Sequence, residues 1–200
     1  MQAFLDTTDQ SSAVFRHATW DFYWSLRNEV ADRTQITFDG TCVEVMPSRT
    51  RLDLQMQKAT VARLLETWAL LTGAELSGMG SPTLASADLN RGCEPDEAYT
   101  LGQDAPHARH LTMWDGQTHR MPDLVIEIDV TRRSVSKDPV YAALGVVEVW
   151  RWRDGDLMVY HLTDGRYELR DDSDLLSDLS MHDLADHVRL GRRLSQPDVV

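Results

Sequence analysis

The chain contains little cysteine and no long apolar run. Its 200 residues include only two cysteines, Cys42 and Cys93, which lie far apart and form no CxxC pair. Two thiols fit neither a disulfide framework nor a four-ligand zinc site, so we expect both to be reduced. No stretch reaches the roughly 18–20 apolar residues of a membrane span, and the first residues lack the basic and apolar regions of a signal peptide. The sequence therefore favours a cytoplasmic protein without a membrane segment.

Positive charge is also scarce. Twenty Lys and Arg residues are set against 32 acids, a formal net charge of −12, which counts against a protein that coats nucleic acid through a basic surface. Residues 154–186 contribute −8 of this charge, whereas residues 130–153 carry a net +3. The acidic segment is more simply a solvated face than a binding site. Lysine occurs only at Lys58 and Lys137, because arginine supplies the remaining positive charge.

The composition is that of an ordinary globular protein, 42% apolar and 26% charged, and no repeat or linker divides the chain. We therefore predict a single domain over residues 1–200, with a core of about residues 15–190 and flexible ends at 1–14 and 194–200.

Periodicity and turn residues predict the elements of this domain. The N-terminal part is predicted to contain a helix over 15–30, then a hairpin with strands 34–38 and 41–46 around Asp39-Gly40, then a long helix over 53–71 that ends at Gly73. The middle part is predicted to contain a polar strand or bulged loop over 77–86, a short strand after Pro95 and a loop over 102–120. The C-terminal part is predicted to contain a strand over 123–130, a helix from about Ser136 to Gly145, a three-stranded meander and a final helix over 182–190. With one strand-helix-strand crossover, this order favours an α/β fold in which helices flank a mixed sheet.

The predicted strand DLVIEIDV places acidic side chains inside an apolar segment. Alternation divides its residues between two faces, one with Leu124, Ile126, Ile128 and Val130 and the other with Val125, Glu127 and Asp129. Carboxylates in a central strand are costly unless they are paired, protonated or bound to a cation. An edge strand whose polar face meets water explains them equally well.

Two further residues accompany this strand. Asp96, after Pro95, begins another predicted strand, and Lys137 follows Glu127 at the first turn of a predicted helix. Carboxylates from adjacent strands can hold one hard divalent cation, which lowers the pKa of a bound water and neutralises phosphoryl charge. A nearby ammonium group can then stabilise the transition state or orient the attacking water. By itself this triplet is weak, because a surface salt bridge accounts for it as well.

Three longer runs form a specific combination: RGCEPDEAY at 91–99, PDLVIEID at 122–129 and YAALGVVEVWR at 141–151. They are accompanied by ITFDG, VEVM and the Gly-x-x-Ser-x-Thr-Leu pattern at 78–84. Together these runs resemble the Uma-two family, a restriction-endonuclease-like family of the PD-(D/E)XK nuclease superfamily. The resemblance runs from about Trp20 to the final helix. It implies a restriction-endonuclease-like core, Mg²⁺- or Mn²⁺-dependent hydrolysis of phosphodiester bonds in DNA, and a homodimer.

The resemblance also assigns individual residues. Asp96 becomes the acid of the PD element, Glu127 the acid of the (D/E)XK strand, and the Ile128 carbonyl oxygen a metal ligand. The superfamily lysine two positions after the Glu is replaced by Asp129, and Lys137 matches the lysine that the family places on the following helix. Asp129 is therefore either a further metal ligand or a partner that orients Lys137.

The long helix departs from the family pattern. Relatives typically carry His-Glu at its start, where this chain has Leu52-Asp53, and Asp53 is a further candidate metal ligand. The missing histidine and the net charge of −12 keep a catalytically inactive binding or scaffold protein with a nuclease fold as an alternative. A metal-dependent hydrolase of a small phosphorylated ligand is another.

Other candidate sites have less support. Three loop histidines, His107, His110 and His119, lack acids at fixed spacing and are more simply exposed than metal ligands. The glycines near residue 80 lack the Gly-Lys-Ser/Thr ending of a phosphate-binding loop, and no Gly-x-Ser-x-Gly elbow is present.

Two aromatic residues and one acid have ordinary structural explanations. Trp150 and Trp152 share a strand face and are more simply core or dimer-interface residues than platforms for base stacking. Glu44, on a predicted hairpin strand, is expected to be a satisfied strand residue near the site.

Overall fold

The computed structural model describes residues 4–9, 12–30, 34–47, 52–102, 114–115, 120–128 and 134–191. The helices are α1 (Trp20–Glu29), α2 (Leu52–Thr72), α3 (Asp138–Leu144) and α4 (Met181–Leu190). The strands are β1 (Phe4–Asp9), β2 (Ser12–Arg16), β3 (Thr34–Phe38), β4 (Cys42–Pro47), β5 (Leu76–Gly80), β6 (Leu84–Ser86), β7 (Arg91–Cys93), β8 (Glu97–Leu101), β9 (Trp114–Asp115), β10 (Leu124–Ile128), β11 (Glu148–Arg153), β12 (Asp156–Thr163) and β13 (Arg166–Arg170). None of the described helices is long and apolar enough to cross a membrane.

The strands form two sheets rather than one. The six-stranded sheet has the order β13-β12-β11-β10-β8-β5, in which β10 is an interior strand, parallel to β11 and antiparallel to β8. The seven-stranded sheet has the order β1-β2-β4-β3-β7-β6-β9. The predicted α/β class is confirmed, and so is the mixed sheet. The predicted hairpin, β3–β4, lies in the second sheet. The division of the strands between two sheets depends on pairing between distant parts of the chain, so the alternation of apolar and polar residues within one strand does not predict it.

Three apolar clusters hold the layers together. α2 and α4 cover one face of the six-stranded sheet around Ile126 and Trp150. The opposite face packs against α3 and β6–β7 around Val125, and α1 packs on the seven-stranded sheet through Tyr23. The two faces predicted for the described part of strand β10 are therefore confirmed. Trp150 and its neighbour Trp152 are core residues, at most 2% exposed, so neither forms a stacking platform.

The N-terminal region differs from the prediction. A helix was predicted from residue 15, but residues 12–16 form β2, and α1 begins at Trp20, where the Thr19 hydroxyl caps it by accepting from the Phe22 N–H at 3.3 Å. Within the predicted flexible end 1–14, β1 pairs with β2 and β2 pairs with β4, which buries Val14. The flexibility of residues 1–14 stays a prediction. Residues 194–200 lie outside the described residues. A single domain over all 200 residues stays a prediction.

The C-terminal meander is confirmed. β11, β12 and β13 pair antiparallel in sequence order. The Asp-Gly turns between them, at 154–155 and 164–165, have positive φ at both residues, the backbone that two-residue hairpins require. β11, the first strand of the meander, also pairs in parallel with β10, the strand that carries Glu127.

Candidate functional site

A cavity of about 190 Å³ lies where β3, β10 and the chain before β8 meet α1 and α2. Two basic side chains, Arg27 and Lys58, and two acidic ones, Glu94 and Asp96, contribute to its walls. This volume is several times the roughly 10–15 Å³ that one water molecule needs. The cavity is thus a polar, mixed-charge site of the size of one hydrated ion or one phosphate group.

Asp96 is held in this cavity by two hydrogen bonds. Its Oδ1 accepts from Gln35 Nε2 at 2.9 Å, and its Oδ2 accepts from the Ile128 N–H at 2.8 Å. The position follows from strand register: β8 pairs antiparallel with β10 through Glu97 opposite Ile126, so the residue before β8 meets the end of β10. The strand that follows Asp96 and the strand that carries Glu127 are therefore neighbours, as predicted.

Glu127 and Lys137 form a buried ion pair behind the cavity. The Lys137 Nζ donates to Glu127 Oε1 at 2.6 Å and to the Glu94 carbonyl oxygen at 2.5 Å, and the two side chains are 4% or less exposed. The Tyr141 hydroxyl, one turn along α3, donates to the same carboxylate oxygen. Among the described residues, the cavity walls include Asp96 and Ile128 but neither member of this pair.

Glu94 is a site residue that sequence reasoning missed. Its Oε2 accepts from the Ile36 N–H at 2.6 Å, and its Oε1 lies 2.7 Å from the Arg27 Nε. Burial raises the pKa of the Glu94 carboxyl above its ordinary value, against the opposing effects of the Ile36 N–H, Arg27 and Lys137. The signal was available in the sequence, since Glu94 stands two positions before Asp96 in the same EPD string.

Both lysines of the chain lie at this site. Lys58, on α2, lines the cavity, and its Nζ is 3.3 Å from Glu97 Oε1. Burial raises the pKa of the Glu97 carboxyl, and the Lys58 ammonium group opposes this rise. Sequence reasoning gave Lys58 no role, although the scarcity of lysine had marked both positions.

Other predicted residues lie away from the cavity or outside the described part of the chain. Asp53 lines a second cavity, of about 130 Å³, together with Val188 and Gly191 of the α4 end. It therefore projects toward α4, whereas Lys58 projects toward Glu97. Asp129 and the three histidines at 107, 110 and 119 lie outside the described residues.

Glu44 has the structural role predicted for it. The side chain is 1% exposed, and its carboxylate accepts from the Ser134 N–H at 2.8 Å and the Val135 N–H at 3.3 Å. A strand of the seven-stranded sheet thereby holds the segment that leads into α3 and Lys137.

The donor chemistry of the cavity region fits a hard divalent cation. Asp96, Glu94 and Glu127 offer carboxylate oxygens, the ligands that Mg²⁺ and Mn²⁺ prefer. Within the described residues, the only group of three His, Cys, Asp or Glu ligand atoms within 4.8 Å of one another lies elsewhere, at Glu148, His161 and Asp174. A cation at Asp96 would therefore have few protein ligands, which suits an ion that keeps several waters.

Comparisons with known proteins agree with this fold. The structure is similar to the crystal structure of a putative nuclease belonging to DUF820 from Anabaena variabilis ATCC 29413, with a TM-score of 0.57 and 12% identity over 86% of this chain and 99% of that chain. At this identity the likeness shows the fold. A comparison with curated proteins finds no match. The Uma2 family model, described as putative restriction endonuclease, matches residues 20–191. The chain therefore belongs to the Uma2 family, which is the Uma-two family that its sequence runs resemble.

Proposed function

We propose that this protein is a metal-dependent endonuclease that hydrolyses phosphodiester bonds in DNA. The observation that carries the proposal is that Asp96, in the wall of a polar cavity, is hydrogen-bonded to the end of β10, the strand whose Glu127 pairs with Lys137 behind that cavity. Membership of a family described as restriction endonucleases supports nuclease chemistry. The metal requirement and the choice of DNA are the parts that experiments must establish.

Asp96 and Glu127 would hold the ion, with Glu94 and the Ile128 carbonyl oxygen as further oxygen donors. When bound, Mg²⁺ or Mn²⁺ lowers the pKa of a bound water and neutralises charge on a phosphoryl oxygen. The Gln35 amide and the Ile128 N–H fix the Asp96 carboxylate in one orientation. Such fixed orientation matters because outer hydrogen bonds position the ligands of a metal site.

Lys137 acts through Glu127 in this proposal. Its ammonium group is buried between the Glu127 carboxylate and the Glu94 carbonyl oxygen and donates to both, so it fixes the Glu127 side chain in one position. Direct contact with a phosphate would require this buried pair to separate. The predicted roles of the lysine were stabilisation of the transition state and orientation of the attacking water, and this buried geometry disfavours the first.

Arg27 and Lys58 would contact the phosphate. Both line the cavity, and an arginine or lysine there can donate to phosphate oxygens. The cavity, at about 190 Å³, is smaller than the roughly 300–1,000 Å³ of pockets that enclose small ligands. This size favours one phosphodiester of a polymer over a small phosphorylated ligand that would have to be enclosed whole.

Cleavage assays test the proposal. Supercoiled plasmid and single-stranded DNA are incubated with the purified protein and Mg²⁺ or Mn²⁺, and we expect cleavage that chelation abolishes. Asp96→Ala and Glu127→Ala should each reduce the rate by about 100-fold or more, the order seen when one group that stabilises transition-state charge is lost. Asp53→Ala is the matched control, because this acid of the second cavity should leave cleavage unchanged. Equal cleavage by all four proteins would indicate contamination and refute the assignment.

A catalytically inactive protein that keeps the nuclease fold is the second candidate. The specific observation in its favour is Leu52, which occupies the place of the family histidine and is 73% exposed. Calorimetric titration with Mn²⁺ separates the candidates: uptake that requires Asp96, without cleavage of any polymer, would favour a binding protein.

We also propose a cytoplasmic homodimer. The cytoplasmic location rests on the two free cysteines, Cys42 and Cys93. The dimer rests on family membership, because the tryptophans of β11 are buried in the protomer and are not available for an interface. Light scattering coupled to size exclusion measures the mass directly, and a protomer mass at micromolar concentration would exclude the dimer.

A further inference from the structure

A second cluster of metal-ligand side chains lies in the meander, formed by Glu148 on β11, His161 on β12 and Asp174 in the segment before α4. The His161 Nδ1 is 3.3 Å from Glu148 Oε1 and 3.2 Å from Asp174 Oδ2. One ligand atom from each residue lies within 4.8 Å of the others. Two tetrahedral ligands with bonds of about 2.0–2.1 Å lie about 3.3–3.4 Å apart, so the imidazole and each carboxylate already stand at ligand spacing.

Strand pairing and hydrogen bonds hold this geometry in place. Glu148 and His161 are direct partners in the antiparallel pair β11–β12. The Glu148 carboxylate is completely buried and accepts from Trp150 Nε1 at 2.9 Å, from Ser173 Oγ at 2.7 Å and from the N–H groups of residues 174 and 175 at 2.7 and 3.1 Å. These bonds fix the Glu148 carboxylate in one orientation, as outer hydrogen bonds do for a carboxylate that binds a metal.

The electrostatic setting favours a cation at the same point. Two carboxylates approach one imidazole nitrogen, and the surrounding segment, residues 154–186, carries a net charge of −8. The His161 side chain is 23% exposed and the Asp174 side chain 61%, so an ion could enter from solvent and complete its shell with water. One nitrogen and two oxygens form a donor set that suits Zn²⁺ and other first-row divalent ions.

We propose that Glu148, His161 and Asp174 bind a divalent transition-metal ion, with Zn²⁺ as the probe ion, at a site separate from the candidate nuclease centre. The ion would link β12 to residues 173–175, which lead into α4. The ion would therefore have a structural role, because it would hold the acidic segment 154–186 to β11. The proposal does not depend on nuclease activity.

Calorimetric titration of the full chain with Zn²⁺ tests this site. All proteins carry Asp96→Ala, which removes the ligand that lines the nuclease cavity. We expect this background protein to bind one Zn²⁺, and His161→Ala or Asp174→Asn to weaken binding by more than about tenfold, the lower bound for loss of even an outer-shell partner. Both substitutions keep the backbone N–H groups that Glu148 uses, and melting curves without metal verify that each variant is folded.

His182→Ala supplies the matched control. His182 lies on α4 with its Nδ1 3.5 Å from Asp183 Oδ1 and 3.8 Å from Asp186 Oδ2, and its side chain is 81% exposed. This variant should bind Zn²⁺ like the background protein. Equal binding by the His161 and Asp174 variants, or an equal loss in the His182 variant, would show only general attraction to the acidic surface and overturn the proposal.

Discussion

Glu127 and Lys137 are each only 3% exposed, so water cannot stabilise either charge if the other is removed. We expect Lys137→Met to lower the free energy of unfolding by about 3–5 kcal/mol, the cost of breaking one side of a buried ion pair. The double substitution Lys137→Met/Glu127→Gln should lose much less than the two single losses added together, because no unpaired charge remains. Urea denaturation of the four proteins measures this coupling.

An exposed pair is the control for this experiment. Arg170 and Glu168 on β13 are 3.0 Å apart, with side chains 40% and 54% exposed, and such pairs contribute about 0–1 kcal/mol. Arg170→Met should therefore cost far less than Lys137→Met. Equal losses at the two positions would contradict the view that burial gives the Glu127–Lys137 pair its importance.

Two acids near the cavity should ionise above the ordinary carboxyl range. Burial raises the pKa of both the Glu94 and the Glu97 carboxyl in the folded protein. The folded protein therefore loses the stability that these protonated carboxyls contribute as the pH rises through their folded pKa values. Their ionisation also makes the cavity region more negative. Lys58→Gln removes a cation that lowers the pKa of Glu97, and we expect the Glu97 titration to move to higher pH. Carboxyl ¹³C NMR measures the shift, and Arg63→Gln on the same helix should leave it in place.

At the scale of elements, β4 supports α3 through a single carboxylate. Glu44 accepts from two N–H groups just before α3, and hydrogen bonds to a charged group contribute about 1.5–3 kcal/mol. Glu44→Gln should lower stability by about this amount and increase amide exchange over residues 134–137, the segment that ends at Lys137. Hydrogen exchange with mass spectrometry resolves that segment.

The β3–β4 turn contains a matched carboxylate. Asp39 also accepts from two backbone N–H groups, those of Thr41 at 2.8 Å and Cys42 at 2.7 Å, but these bonds stay within the turn. Asp39→Asn should therefore leave exchange over 134–137 unchanged. If both variants or neither of them raised it, Glu44 would not be what holds this segment.

Elements with strong local signals were predictable, and elements defined by tertiary contacts were not. The apolar side chains of α2 recur at helical spacing and those of β10 alternate between two faces, so both elements can be recognised in the sequence. The Asp-Gly pairs mark the turns in the same way. β7 has only three residues, and β2 is recognisable mainly through its pairing with β4. The split into two sheets depends on the same long-range pairing.

The candidate site shows the same division. Asp96, Glu127 and Lys137 could be named from the family resemblance, and the structure places them where β8 and β10 meet the start of α3. The burial of Lys137 against Glu127 could not be predicted, because it depends on how α3 packs over β10. Arg27 comes from α1, far from the motifs in sequence, and only the packing of both sheets brings it to the cavity.

At the scale of the whole molecule, most of the net charge of −12 is separated from the site. The segment with a net −8 forms β12, β13 and α4, and β12 and β13 occupy one edge of the six-stranded sheet, whereas β8 lies beyond β11 and β10. A bound phosphate would therefore meet Arg27 and Lys58 before it met most of the acids. The formal sum still implies weak overall attraction for a polyanion.

This charge distribution predicts a shallow salt dependence for DNA binding. Each phosphate neutralised by a basic side chain adds about 0.9 to the slope of log affinity against log salt for duplex DNA, so two cavity cations give a slope of about −2, far from that of a protein with many phosphate contacts. Fluorescence anisotropy in Ca²⁺, with labelled duplex, measures the slope without depending on cleavage. Lys58→Gln should reduce it by about 0.9, whereas Arg63→Gln, which removes a half-buried arginine of α2 outside the cavity walls, should not. An unchanged slope for the Lys58 variant would mean that DNA contacts another surface.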